Sequence, residues 1–222
     1  MTPFAEQLRA HLSAHQQPEQ ALAMEAYMKN KFAFFGMKSE PRRTLLKQFI
    51  LENPPPQYPA LETVALELWA LPERQLQYCA IELLAKTSKS WTVETINLFE
   101  KLIIEKSWWD SVDGISSALV AVYFKRFPEQ IAPVTTRWMA SKSIWLQRVC
   151  LIFQLSYSDK TDTALLFGFI RELAKSREFF IEKAIGWALR QYARTDAEAV
   201  KTFVATTRLR PLSIRESLKH LG

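Results

Sequence analysis

Trp109 and Asp113 lie four residues apart in the stretch Lys106-Ser107-Trp108-Trp109-Asp110-Ser111-Val112-Asp113. On a helix that spacing stacks two side chains on one face, so a large aromatic surface is expected beside a carboxylate. Farther along, Lys183, Trp187, Arg190 and Arg194 follow at i, i+4, i+7 and i+11, which sets a second tryptophan in a basic stripe. One carboxylate, two aromatic faces and basic surroundings suit attack at an electron-poor sugar carbon. Ordinary glycosidases need two carboxyl groups, because a neutral leaving group must be protonated. A leaving group that already carries positive charge needs no general acid, and an N-alkylated purine in DNA is such a group. Losing it turns the base neutral and leaves an oxocarbenium-like deoxyribose. A carboxylate stabilises that cation and orients or deprotonates a water. Tryptophan faces hold the cationic sugar by cation–π attraction, worth ~0.5–2 kcal/mol each. The competing reading of Asp113 is structural, a pair with a Lys or Arg of a neighbouring helix. Helical phase alone does not separate the two.

These residues need helices to position them. Ser107, with Asp110 three residues on, reads as an N-cap and an acidic first turn. The helix it opens is expected to run to about Arg126. Its core stripe is Trp108, Val112, Ile115, Leu119 and Val122, and Trp109 and Asp113 stand off that stripe with Ser116 and Ser117 close by. A helix over 178–194 has Ile181, Ala184, Ile185, Ala188 and Tyr192 as its apolar stripe, with the basic stripe nearly opposite. A helix over 144–158 is apolar all round, so phase says little there. Arg148 is a charge amid Ile144, Trp145, Ile152 and Leu155, and it either pairs with an acid or reaches out to a ligand. Trp69, Trp91, Trp108 and Trp138 read as packing residues.

Nearly every other segment also reads as helix. Thr2-Pro3 opens the first, a cap followed by proline at the first helical position. Further helices are expected near 17–33, 40–52, 58–70, 73–87, 92–105, 128–140, 162–175 and 197–206. A last one starts at Ser213, where Ser213 and Glu216 have the spacing of a capping box. Pro54-Pro55-Pro56 reads as a break and a stiff connector. No run of period-2 alternation suggests a strand. Lys106-Ser107, Lys142-Ser143 and Lys175-Ser176 recur at spacings of 36 and 33, each ahead of a helix with early aromatics, and Leu71-Pro72-Glu73 begins a comparable helix. A period of that size points to an all-α solenoid of HEAT-like antiparallel helix pairs, one domain over 1–222, whose equivalent helices line a concave basic groove.

Composition narrows the function. The chain has 222 residues with net charge +6. Residues 1–100 hold 10 Lys/Arg against 11 Asp/Glu, whereas residues 101–222 hold 19 against 12. The half with the Trp/Asp helix is the basic one, which suggests a polyanionic partner. Five glycines and no GxGxxG or GxxxxGK[ST] leave Gly-rich nucleotide loops without a candidate. No GxSxG is present. Cys79 and Cys150 fall in apolar helices and read as buried, reduced thiols of a cytoplasmic protein. His11 and His15 share a helix face without a third ligand, and His220 sits in the tail. The three read as solvated residues, so neither metal nor cofactor is expected. Glu6 and Arg9 near the start argue against a signal peptide. No stretch approaches the ~18 apolar residues that span a bilayer, so no membrane partner is expected.

Several of these stretches together resemble the AlkD family of DNA alkylation-repair glycosylases, which have HEAT-like repeats. The residues that carry the resemblance are Tyr27-Met28-Lys29-Asn30, Pro41-Arg42-Arg43, Lys106 to Asp113, Ile144-Trp145-Leu146-Gln147-Arg148 and Glu178 to Trp187. They cover nearly the whole chain in the family's order. The resemblance implies a monofunctional glycosylase for positively charged N3- and N7-alkylated purines in double-stranded DNA, working in bacterial base excision repair. It implies Asp113 as the catalytic carboxylate, Trp109 and Trp187 as the frame of the lesion's deoxyribose, and Arg148 as a backbone contact. Tyr27 and Arg43 lie in matching stretches and join Lys183, Arg190 and Arg194 as DNA-binding candidates. It also implies excision without drawing the base into a pocket and a C-terminal cap longer than the one that follows Ser213 here. Solenoids of this kind often act as monomers, so a monomer is expected.

Two other classes compete. One is a non-catalytic HEAT-like DNA-binding protein that recognises damaged or branched DNA. The other is a solenoid whose tryptophans anchor a protein. A carboxylate facing phosphates favours the enzyme over the first, and the basic C-terminal half favours DNA over the second.

Overall fold

The computed structural model describes residues 1–219; the tail position His220 lies outside the described residues. Among the described residues the chain is helical, with an isolated Ala33–Glu73 bridge and no strands. It divides into two compact units, Met1–Leu98 and Phe99–Gly222.

The first unit contains α1 (Pro3–Ser13), α2 (Pro18–Tyr27), α3 (Ser39–Glu52), α4 (Ala60–Ala70) and α5 (Arg74–Lys86). The Thr2 hydroxyl accepts from the Ala5 N–H, and Pro3 follows as the first helical residue, as the sequence suggests. The α4 and α5 helices pack as a pair around Leu61, Leu68, Trp69, Leu76 and Leu83, all buried. The expected helix over 17–33 stops at Tyr27. Lys29 and Asn30 take left-handed φ of 58° and 54°, which a right-handed helix does not pass through. The chain then runs extended, burying Phe34, Phe35 and Met37. Gly36 sits there at φ 88°, where a Cβ would lie 2.0 Å from the Gln17 carbonyl oxygen. His11 is half-buried against Phe49, at 5.3 Å from His15 and 5.4 Å from Phe49, with its Nε2 enclosed and unpartnered, so it is not the solvated residue expected.

The α6 helix (Thr95–Ile104) leads into the second unit, which contains α7 (Trp109–Ile115), α8 (Ala121–Arg126), α9 (Ile131–Ala140), α10 (Ile144–Ile152), α11 (Thr163–Leu173), α12 (Phe179–Tyr192), α13 (Ala197–Thr206) and α14 (Pro211–Ser217). Here α10 packs against both α7 and α12. The three helices marked by the Lys-Ser repeat therefore lie side by side. Ser143 caps α10 by accepting from the Leu146 N–H. Ser107 does not cap α7. Its Oγ lies 2.7 and 2.6 Å from the Ile103 and Ile104 carbonyls and closes the preceding helix, while extended Trp108 is the residue before α7.

Two further expectations give way for identifiable reasons. The helix over 108–126 is interrupted by a π-helical segment, Ser116–Val120, in which the Ala121 N–H reaches the Ser116 carbonyl. One π turn inserts an extra residue and shifts the phase. Val112, Ile115 and Leu119 are buried as the stripe requires, but Val122 is 38% exposed, and Tyr123 and Phe124 enter the core instead. The helix over 144–158 stops at Ile152. The Gln154 side chain then binds the Asp162 backbone, accepting from its N–H at 2.7 Å and donating to its carbonyl at 3.2 Å. The apolar character all round α10 reflects its central position, with Leu146, Val149, Cys150, Leu151 and Ile152 all buried. Cys79 and Cys150 are free and buried, and burial pushes the Cys79 thiol up to about 11.

Candidate active site

Asp113 occupies the second turn of α7 and Arg148 the second turn of α10. They meet as a bidentate pair: Arg148 Nε donates to Asp113 Oδ1 at 2.7 Å and a terminal nitrogen donates to Oδ2 at 2.8 Å. The third nitrogen of Arg148 donates to the Phe180 carbonyl at 2.6 Å. One guanidinium on the middle helix thus ties α7 to the first turn of α12. Arg148 is 5% exposed and Asp113 18%, so the arginine is enclosed while the carboxylate keeps an outlet. A carboxylate has about four acceptor directions, and the fork occupies two. Burial lifts the Asp113 carboxyl above its ordinary value; the Arg148 fork pulls the other way without cancelling that shift, and Asp110 adds to it.

Phe180, whose carbonyl Arg148 binds, belongs to an aromatic cluster. Trp108 packs at 5.9 Å from Trp145 and 5.1 Å from Phe180, and Trp145 lies 5.0 Å from Phe180. The aromatic first turns of α10 and α12 that mark the repeat are therefore neighbours. Trp109 is half-buried at the start of α7, one turn before Asp113. Trp187 is half-buried on α12, seven residues and about 10 Å along the axis from Phe180. Trp69, Trp91 and Trp138 are core residues, and the Trp138 indole donates to Glu100 at 2.8 Å.

The basic stripe of α12 is in a different situation from the one the sequence suggests. Ile181, Ala184, Ile185 and Ala188 are buried as expected, but α14 packs against α12 and engages the cations of the opposite side. Lys183 Nζ lies 3.0 Å from Glu216 Oε1, and Arg190 donates to Glu216 Oε2 at 2.9 Å and to its main-chain carbonyl at 3.0 Å. Lys183, with Arg190 helping, holds the Glu216 carboxyl below its ordinary value. The capping box is not formed. The last helix starts at Pro211, and Ser213 donates to the Glu182 carbonyl at 3.0 Å. Glu216 is the residue that sequence reasoning misplaced. The available signal was Gly186, which lies between the two cations on α12. A Cβ there would fall 2.4 Å from the Glu216 Cβ, so the glycine is what admits α14. Alanine at 186 gains helix propensity of about 1 kcal/mol but overpacks by about 1–3 kcal/mol. The expected outcome of Gly186→Ala is a net loss of stability, read as a lower denaturation midpoint; a stabilised variant contradicts this packing.

Of the remaining candidates, Arg194 is exposed just beyond α12, beside a cavity of about 400 Å³ lined in part by Gln154, Ser158, Thr161, Gln191 and Thr195. In the first unit, Tyr27 is exposed at the end of α2. Arg43 is exposed and donates to Glu82 at 3.0 Å, beside the buried Arg42, whose guanidinium forks onto the same carboxylate at 3.1 and 2.7 Å. No cluster of three potential metal ligands occurs among the described residues, and no helix there is long and apolar enough to cross a membrane.

Comparison with known proteins places these features in context. The family model described as DNA alkylation repair enzyme matches residues 8–221. A solved structure of a predicted DNA alkylation repair enzyme from Enterococcus faecalis superposes with a TM-score of 0.87 at 32% identity, over 93% of this chain and 97% of that one. A comparison with curated proteins finds no significant match.

Proposed function

The chain belongs to the DNA alkylation repair enzyme family, and from that premise we propose that it is a monofunctional DNA glycosylase. Its substrates are positively charged N3- and N7-alkylated purines in duplex DNA, such as 3-methyladenine and 7-methylguanine. The observation that carries this reading is the Asp113 carboxylate, clamped by Arg148 yet still partly open to solvent.

In the proposed reaction the C1′–N bond breaks and its electron pair goes to the purine, which leaves neutral. Asp113 stabilises the cationic deoxyribose, and Trp109 and Trp187 flank the sugar. Water adds at C1′, and its proton passes to Asp113 or to solvent. The protein works as a monomeric, HEAT-like cytoplasmic repair enzyme, with Tyr27, Arg43 and Arg194 touching the DNA backbone. If phosphate contacts dominate affinity, binding to undamaged duplex weakens steeply with salt, with a log–log slope of magnitude ~0.9 per contact. Titration across salt concentrations checks this, and a flat response removes the DNA reading.

The Asp113–Arg148 pair also favours a second reading. A carboxylate neutralised by a buried arginine is tolerable in a protein that only binds DNA, and there it serves as a tie between helices. The two readings part on base release from alkylated duplex, which only the enzyme performs.

A further inference from the structure

We propose that Glu216 limits the grip of this protein on undamaged DNA by withholding Lys183 and Arg190 from phosphate. The inference rests on the DNA-binding reading above. Its basis is the way α14 sits on α12. Each carboxylate oxygen of Glu216 serves one cation, Oε1 to Lys183 at 3.0 Å and Oε2 to Arg190 at 2.9 Å. A phosphodiester would present the same pair of oxygens to the same pair of cations, so Glu216 fills the place of a phosphate. It is held there. Gly186 lets α14 approach to backbone distance, Ser213 of the same helix is hydrogen-bonded to the Glu182 carbonyl, and Arg190 also holds the Glu216 carbonyl. The glutamate is 15% exposed, whereas Lys183 is 39% and Arg190 26% exposed, so both cations are within reach of an outside anion once the glutamate charge is gone.

The consequence is selectivity. Phosphate contacts are blind to sequence and damage, and each one adds affinity for every stretch of duplex. Trp187 lies between Lys183 and Arg190 along the same side of α12. Cations occupied by an internal carboxylate leave that tryptophan to the sugar and keep the backbone from being clamped over it. Glu216 is thus a positioning residue that trades general affinity for discrimination.

The test is binding of an undamaged duplex over a range of salt by wild type, Glu216→Gln and the double variant Glu216→Gln/Lys183→Gln, with thermal unfolding of each. The expected result is a log–log slope steeper by about 1–2 in Glu216→Gln, with tighter binding at low salt, and return of about one unit in the double variant. If Glu216→Gln does not fold, Glu216→Asp, whose shorter side chain cannot bridge both cations, is expected to steepen the slope by about one. An unchanged or shallower slope in the folded variant overturns the inference while leaving salt-dependent wild-type binding intact. A flat slope in the wild type overturns the DNA-binding reading itself, and this inference with it.

Discussion

Asp113→Asn is expected to cut release of an alkylated purine by about 100-fold, which corresponds to ~2.7 kcal/mol of transition-state stabilisation. The substitution keeps the side chain's shape and one acceptor for Arg148 but removes the charge that faces the developing sugar cation. Its amide meets the second guanidinium N–H, so a stability loss of about 1–3 kcal/mol should accompany it, and rates are compared per folded molecule. The loss is smaller than removal of a carboxylate from an ordinary glycosidase would give, because the cationic base departs without protonation. The same carboxylate predicts the pH profile. Burial raises the Asp113 pKa. If the ionised form is the active one, activity is present above that raised value and lost as the pH falls through it, so the acid limb lies higher than an unperturbed aspartate would set it and disappears in Asp113→Asn. An Asp113→Asn variant with wild-type rates removes the mechanism.

Arg148→Ala is expected to cost about 3–5 kcal/mol of stability, the usual range for breaking one side of a buried ion pair. The loss strands the Asp113 carboxylate and takes a donor from the Phe180 carbonyl, so α7 and α12 lose their shared tie to α10. Asp113, deprived of its counter-charge, becomes easier to protonate, and the acid limb of activity moves up. Arg148→Lys restores a charge but not the fork, so partial recovery of stability with poor recovery of rate is expected. Thermal unfolding beside a DNA-binding curve checks this. A variant with full stability and weakened binding would instead mean that Arg148 serves the DNA directly.

Arg148 shows where the sequence stops. A lone charge on an apolar helix told that the guanidinium must either pair or reach out, and the helical phase of α10 could not choose, because α10 is buried on most sides. The partner lies 35 residues away, and only the packing of α10 against α7 makes it visible. Asp113 carried the same ambiguity. The structure supplies its arginine partner and leaves the carboxylate 18% exposed.

Most helix positions were legible, because three-residue and four-residue apolar spacings survive into the packed state. The errors fall where the backbone departs from the regular α-helix. Lys29 and Asn30 end α2 in a left-handed turn, Gln154 ends α10 by binding the Asp162 backbone, and an extra residue at Ser116–Val120 shifts the phase of the helix after Asp113. Ser213 and Glu216 had the spacing of a capping box, but both are recruited across to α12. Local spacing cannot reveal a partner that tertiary packing supplies.

In the proposed mechanism one clamped carboxylate cleaves the glycosidic bond of a cationic base and nothing else. The most direct test of that mechanism is base release from two otherwise identical duplexes, one with a single 7-methylguanine and one with a single uracil, detected as free base. The expected result is release of 7-methylguanine by the wild type, sharply reduced release by Asp113→Asn, and no release of uracil by either. Efficient uracil release would mean that a neutral leaving group is being protonated, and absence of 7-methylguanine release by folded wild-type protein would leave a DNA-binding protein without catalysis; either result contradicts it.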